Sequence, residues 1–96
     1  MPKYILSAIA KDDLLDVWLD IFELTKNAEF ADNFVDSFTV AFEKVSKDPG
    51  IGESRDYLRP GFRKWTHRKY IIYYKPQNGI VRIERILWGR RQQWLR

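Results

Sequence analysis

Few side chains in this sequence could move a proton. There is one histidine, His67, and no cysteine. Thr66-His67-Arg68-Lys69 reads as a turn between strands, which would leave the imidazole exposed. The remaining acid or base candidates are Glu53, Glu84 and the tyrosines. Glu84 lies among Arg82 and Arg85 and reads as an ion-pair partner on a solvated sheet face. Tyr57, Tyr70, Tyr73 and Tyr74 read first as packing residues. General acid–base catalysis needs its two groups within hydrogen-bond reach of the reacting atoms. No such pair emerges, so no catalytic residue is assigned. A lone histidine without thiolates also excludes a His-cluster or zinc-thiolate centre, and neither metal nor cofactor is expected.

The cations are more informative. Residues 1–50 hold five lysines, no arginine and ten acids, a net of −5. Residues 51–96 hold nine arginines, three lysines and three acids, a net of +9. Such a division gives a dipolar surface. Arginine suits planar, bidentate contact with phosphate or carboxylate, so an anionic partner is expected. Arg63 and Lys64 follow a loop; Arg85, Arg90 and Arg91 lie toward the end of the last predicted strand, beside Trp88. If the strands pair, these groups form one cationic surface. Arg55 and Arg59 read instead as loop ties to Glu53 and Asp56.

The elements that must position these groups are legible in outline. Lys3–Ser7 predicts a short strand, with Ser7 as N-cap of a helix running to about Lys26. Leu14, Leu15, Trp18, Ile21, Phe22 and Thr25 recur at helical spacing, with Asp12, Asp13, Asp16, Asp20 and Glu23 opposite. Asn27 caps a second helix whose stripe is Phe30, Phe34, Val35, Phe38, Ala41, Phe42 and Val45; Pro49 and Gly50 end it. The short connection predicts an antiparallel helical hairpin. Residues 48–61 read as a loop held down by Ile51, Tyr57 and Leu58. Three strands follow: Phe62–Thr66, Lys69–Lys75 (a fully apolar run suited to a central position) and Ile80–Trp88. Pro76-Gln77-Asn78-Gly79 forms the turn before the last. The order is β-α-α-β-β-β in one α+β domain over residues 1–96, with the helical hairpin on one face of a small antiparallel sheet. No apolar run could span a bilayer, and a cytoplasmic protein is expected.

On the first helix Val17, Leu19 and Leu24 widen the apolar arc to roughly 220°, more than one buried face requires. Surplus of this kind marks a partner surface, unless Trp94 and Leu95 cover it.

In this order the pieces resemble a known group. Leu6-Ser7 before an acidic helix with Leu14 and Trp18 is one piece. Asp48-Pro49-Gly50-Ile51-Gly52 is the second. Arg55-Asp56-Tyr57-Leu58-Arg59-Pro60-Gly61-Phe62-Arg63-Lys64-Trp65, ahead of the Tyr70–Tyr74 run, is the third. Ile83-Glu84-Arg85-Ile86-Leu87-Trp88-Gly89-Arg90-Arg91 is the fourth. Together they are similar to the ParE-type toxins of the RelE/ParE superfamily, the toxin halves of bacterial type II toxin–antitoxin systems. The resemblance implies inhibition of DNA gyrase and so of replication, and neutralisation by a cognate ParD-like antitoxin. RelE-like relatives instead cleave mRNA on the ribosome, which is the alternative activity. With such a target, the cationic surface of Arg63, Lys64, Arg85, Arg90 and Arg91, beside Trp88, is the expected target contact. The surplus apolar residues Val17, Leu19 and Leu24 are the expected antitoxin contact. A plain nucleic-acid-binding module, stacking bases on Trp65, Tyr73 and Trp88, fits the resemblance least, and binding to free nucleic acid is not expected.

Overall fold

The computed structural model describes residues 3–55 and 59–89. Strand β1 (Tyr4–Leu6) leads directly into helix α1 (Ala8–Thr25), and α2 (Ala28–Lys47) follows after two residues. Both predicted caps are present. The Ser7 hydroxyl accepts from the Ala10 amide at 2.9 Å, and Asn27 Oδ1 accepts from the Phe30 amide at 2.9 Å. Each satisfies an amide that the first helical turn leaves without a partner.

The buried line of α1 differs from the expected stripe. Ala10, Asp13, Val17 and Ile21 face inward, while Leu15 is exposed. Val17 is only 1% exposed and belongs to the core, so it is withdrawn from the expected partner surface. Asp13 likewise leaves the solvated acidic face and is buried. In α2 the core line is Ala31, Phe38, Ala41, Phe42 and Val45, and Phe30 at its start is exposed.

The sheet has five strands in the order β1-β5-β4-β3-β2, comprising β2 (Glu53–Ser54), β3 (Arg63–His67), β4 (Tyr70–Gln77) and β5 (Ile80–Trp88). Two features depart from the sequence reading. The sheet is mixed, because β1 runs parallel to β5 at its edge. The stretch read as loop also contains a 3₁₀ turn at Pro49–Ile51 and the strand β2, which pairs with Arg63 and Lys64. The apolar run of β4 is central, and Tyr70–Tyr74 are all buried. Tyr70, Ile72 and Tyr74 join Val81, Ile83 and Ile86 in the core with the helices. Ile71 and Tyr73, alternating with them, turn to the opposite face.

Both hairpins around β4 are two-residue turns with positive φ at both central residues. Asn78 and Gly79 (φ 52° and 79°) form one, Arg68 and Lys69 (φ 49° and 70°) the other. This is the favoured twist for a hairpin, and Asn-Gly is its usual sequence. For arginine and lysine the same backbone costs about 1–2 kcal/mol per residue.

Between β4 and β5 the register slips. Tyr73 opposes Arg85 and Tyr74 opposes Ile83, leaving Glu84 as the extra residue of a β-bulge. The bulge explains why the buried positions of β5 are 81, 83 and then 86.

Candidate functional site

The bulge is where α1 meets the sheet. Strand β1 covers β5 only as far as Ile83. Beyond that point the edge of β5 needs other partners, and the first turns of α1 supply them. The Ser7 amide donates to the Ile83 carbonyl, and the Ser7 hydroxyl donates to the Glu84 carbonyl at 2.9 Å. Asp13 accepts from the Ile86 amide at 2.9 Å, and from Arg85 Nε and Nη2 at 2.9 and 3.1 Å. The carboxylate therefore takes a two-pronged guanidinium contact plus a backbone bond, the arrangement in which a buried charge is tolerated. Arg85 is thus fixed in position, and Asp13 fixes it.

Arg63 and Lys64 do not act together. Adjacent strand residues point to opposite faces, and Arg63 turns to the helical side, where Nη1 donates to the Gly52 carbonyl at 2.8 Å. Lys64 lies on the other face, opposite Tyr73, which in turn opposes Arg85. A row Lys64–Tyr73–Arg85 therefore crosses three strands, about 10 Å from end to end at two strand spacings. Beside it a cavity of about 430 Å³ is lined by Arg59, Phe62, Lys75, Glu84 and Arg85 among others. Glu84 pairs with Arg82 at 3.2 Å, as its neighbours in sequence suggest. Arg55 pairs with Glu53 at 2.9 Å, and that contact holds the Glu53 carboxyl below its ordinary range. Arg90 and Arg91, like Asp56, Tyr57, Leu58, Trp94 and Leu95, lie outside the described residues.

His67 is not the exposed turn residue expected. It closes β3, its ring meets Phe38 edge-on at 4.6 Å, and Nε2 lies 2.9 Å from the Ser37 hydroxyl. Ser37 donates its own proton to the Phe34 carbonyl at 2.6 Å, which leaves its oxygen to accept from the imidazole in the tautomer protonated at Nε2. Burial, with Arg68 next to it, holds His67 below its ordinary pKa.

The loop after α2 is pinned by Tyr74. Its hydroxyl donates to the Pro49 carbonyl at 2.7 Å and accepts from the Gly52 amide at 2.9 Å. A side chain at residue 52 would overlap that hydroxyl and approach the Lys64 carbonyl at 2.8 Å. The Pro-Gly-Ile-Gly run thus ends in glycine because the tyrosine occupies the space of a Cβ. Burial raises the Tyr74 pKa, which keeps the phenol protonated as the donor this arrangement needs.

Trp88 stands apart from the cationic row. It opposes Tyr70 on the helical side of the sheet and is 39% exposed. It lines a groove of about 560 Å³ between the end of α1 and the Arg68-Lys69 turn. Leu24, 81% exposed, lines the same groove; Leu19, 47% exposed, lies further back on α1. Sequence reasoning placed a turn at Arg68-Lys69 but missed the groove beside it and the inward direction of Asp13. The bulge has no local signature, and an acid in an acidic helix reads as solvated.

A helical hairpin on one face of a small mixed sheet defines a class of compact α+β proteins, and the fold alone does not choose among their activities. Residues 4–93 match the family described as ParE toxin of type II toxin-antitoxin system, parDE, and the chain belongs to that family. Among its relatives, Toxin ParE1 of Caulobacter vibrioides is 29% identical over 75 residues, covering 78% of this chain and 77% of that protein. Toxin ParE1 of Mycobacterium tuberculosis is 25% identical over 89 residues, covering 92% and 90%. The fold matches a chain from the chromosomal ParDE TA system of P. aeruginosa, with a TM-score of 0.73, 19% identity, and coverage of 92% of this chain and 96% of that one. The protein is a ParE-type toxin of a type II toxin–antitoxin system. Among the described residues no helix is long and apolar enough to cross a membrane.

Proposed function

We propose that this toxin acts by binding DNA gyrase, halting replication, and that a ParD-like antitoxin encoded beside it neutralises it. The observation that carries the choice of target is the placement of His67. The only histidine of the chain is turned into the helical side and bonded to Ser37. It therefore faces away from Lys64, which lies on the face opposite the helices where an RNA backbone would meet charge. Arg85 is bonded to Asp13 of α1. A ribosome-dependent nuclease needs groups that move protons at the scissile phosphate, whereas a gyrase-binding toxin needs only a shaped, charged surface. Lys64, with Arg90 and Arg91, supplies the charge for that contact. The exposed Leu19 and Leu24 on α1 supply the apolar contact for antitoxin.

Pulse labelling of DNA and protein synthesis, minutes after inducing the toxin alone, separates the readings. Thymidine incorporation falls first, with induction of the DNA-damage response, if gyrase is the target. A prior fall in methionine incorporation would replace this reading with mRNA cleavage.

A further inference from the structure

The cavity beside the bulge brings together cations from three places in the fold: Arg59 from the segment before β3, Lys75 from β4 and Arg85 from β5. Each is held by a different device. The Arg59 guanidinium lies over the ring of Phe62 at 5.9 Å, and that ring is itself buried. The stem of Lys75 runs against Gly61, where an added Cβ would stand 3.3 Å from the lysine Cε. Asp13 fixes Arg85 from α1 with two bonds. Glu84, the acid among the described lining residues, is taken by Arg82 at 3.2 Å. The strand register adds a second observation. Lys75 stands directly opposite Arg82, and like charges so placed oppose sheet formation. Among the described residues no carboxylate pairs with Lys75. A conflict of this kind, left uncorrected by local packing, marks a place kept for a contact outside the fold.

Cations held in place around one cavity form a preorganised anion site. The arrangement also selects among anions. A carboxylate is matched by a single guanidinium, as Asp13 is by Arg85. A phosphodiester presents oxygens in more than one direction, so cations arriving from separate elements can each meet one. Its charge also repeats along a backbone, and the same sheet face continues the match. Lys64 opposes Tyr73, two residues along β4 from Lys75. A chain of phosphates leaving the cavity across the sheet therefore meets a further cation. We propose that the cavity lined by Arg59, Lys75 and Arg85 seats a backbone phosphate of the DNA that gyrase holds, so that the toxin grips enzyme and DNA together. The inference rests on the gyrase reading above and adds to it a contact with the DNA itself. Such contacts position a protein without reading sequence, so the grip carries no sequence preference.

The test measures the dissociation constant of the full toxin for gyrase alone and for gyrase holding a linear DNA duplex, over a range of salt. The unmodified toxin should bind the DNA-loaded enzyme roughly tenfold more tightly, and this preference should shrink as salt rises. Lys75→Met keeps the stem against Gly61 and removes the charge. Arg59→Gln removes a second cation while the backbone bonds of residue 59 to Arg55 and Phe62 remain. In each variant the preference should fall to about twofold or less, with a salt slope lower by about one. Lys47→Met, on the exposed end of α2, should keep the preference. Retention of the preference by either cavity variant overturns the inference, and so does an equal loss in Lys47→Met, which would assign it to bulk charge. Equal weakening of the cavity variants toward gyrase with and without DNA would give the cavity to an acidic segment of the enzyme and overturn it too. If the unmodified toxin binds both states equally, the phosphate site is overturned while the gyrase reading stands. Binding to neither state defeats the gyrase reading, and this inference with it.

Discussion

The two halves of β4 are built on different terms. From Tyr74 onward each local choice agrees with the fold. The tyrosine hydroxyl is satisfied on both sides, residue 52 is the glycine that the hydroxyl requires, and Asn78-Gly79 turns the chain at little cost. Toward Tyr70 the choices conflict with local preference. Two long cations occupy a left-handed turn, an exposed tryptophan sits across the pair, and a histidine is held below its ordinary pKa. Consistency between local and global preference marks a region selected for folding, and its violation marks one selected for something else. One strand therefore carries an end where local preference and fold agree and an end where they conflict.

Substitutions can sharpen or break this contrast. The largest effect is expected from Gly52→Ala. The added methyl displaces the Tyr74 hydroxyl and both of its bonds, a loss of about 3 kcal/mol. Thermal unfolding should show a fall of roughly 15 °C. Tyr74→Phe leaves the Gly52 amide and the Pro49 carbonyl without that partner and should cost about 1–3 kcal/mol by denaturant titration. At the Arg68-Lys69 end the sign reverses. Arg68→Asn with Lys69→Gly should stabilise the toxin by about 1 kcal/mol, after allowing for the lost contact with Phe34. A destabilised double variant would erase the distinction between the two ends.

The smallest effect is a pH dependence. His67 titrates lower in the folded protein than its unfolded value of 6.5. Between those two values the unfolded chain binds more protons, so stability rises with pH across that window and falls on acidification from 6.5. Melting curves over this range should have a measurable slope, and His67→Gln, which keeps a donor for Ser37, should flatten it. An unaltered slope would remove His67 as its source.

Much of this architecture is readable from residue spacing. Ser7 and Asn27 start the helices because their oxygens cap free amides, and β5 occupies the span that its alternation marks. The features that escaped are those without a period. A two-residue strand such as β2 is too short to alternate. The bulge at Glu84 shifts the buried phase of β5 by one residue, and only a tertiary contact reveals that Asp13 turns inward to meet it. Val17 looked surplus because the true core line of α1 runs through Ala10, Asp13 and Ile21. Arg63 and Lys64 look like a cluster in sequence, but strand geometry sends them to opposite faces. The turn at Arg68-Lys69 is readable as a break between strands, but the groove beside it is not, since its lining comes from α1, α2, β4 and β5 together.

The pairing of β1 with β5 sets an order on the chain's assembly. Ser7 meets a residue 77 positions later, and Asp13 one 73 positions later. Long-range closures of this kind slow folding, because the chain loses entropy before the contacts form. On a ribosome adding about 5–20 residues per second, the helical hairpin emerges seconds before the strand that completes its sheet. Until β5 arrives, the first strand has no neighbour and the Asp13 carboxylate has neither arginine nor amide to receive. A nascent or prematurely terminated toxin that stops before β5 therefore has neither Arg85 to pair with Asp13 nor Trp88 to stand beside the Arg68-Lys69 turn.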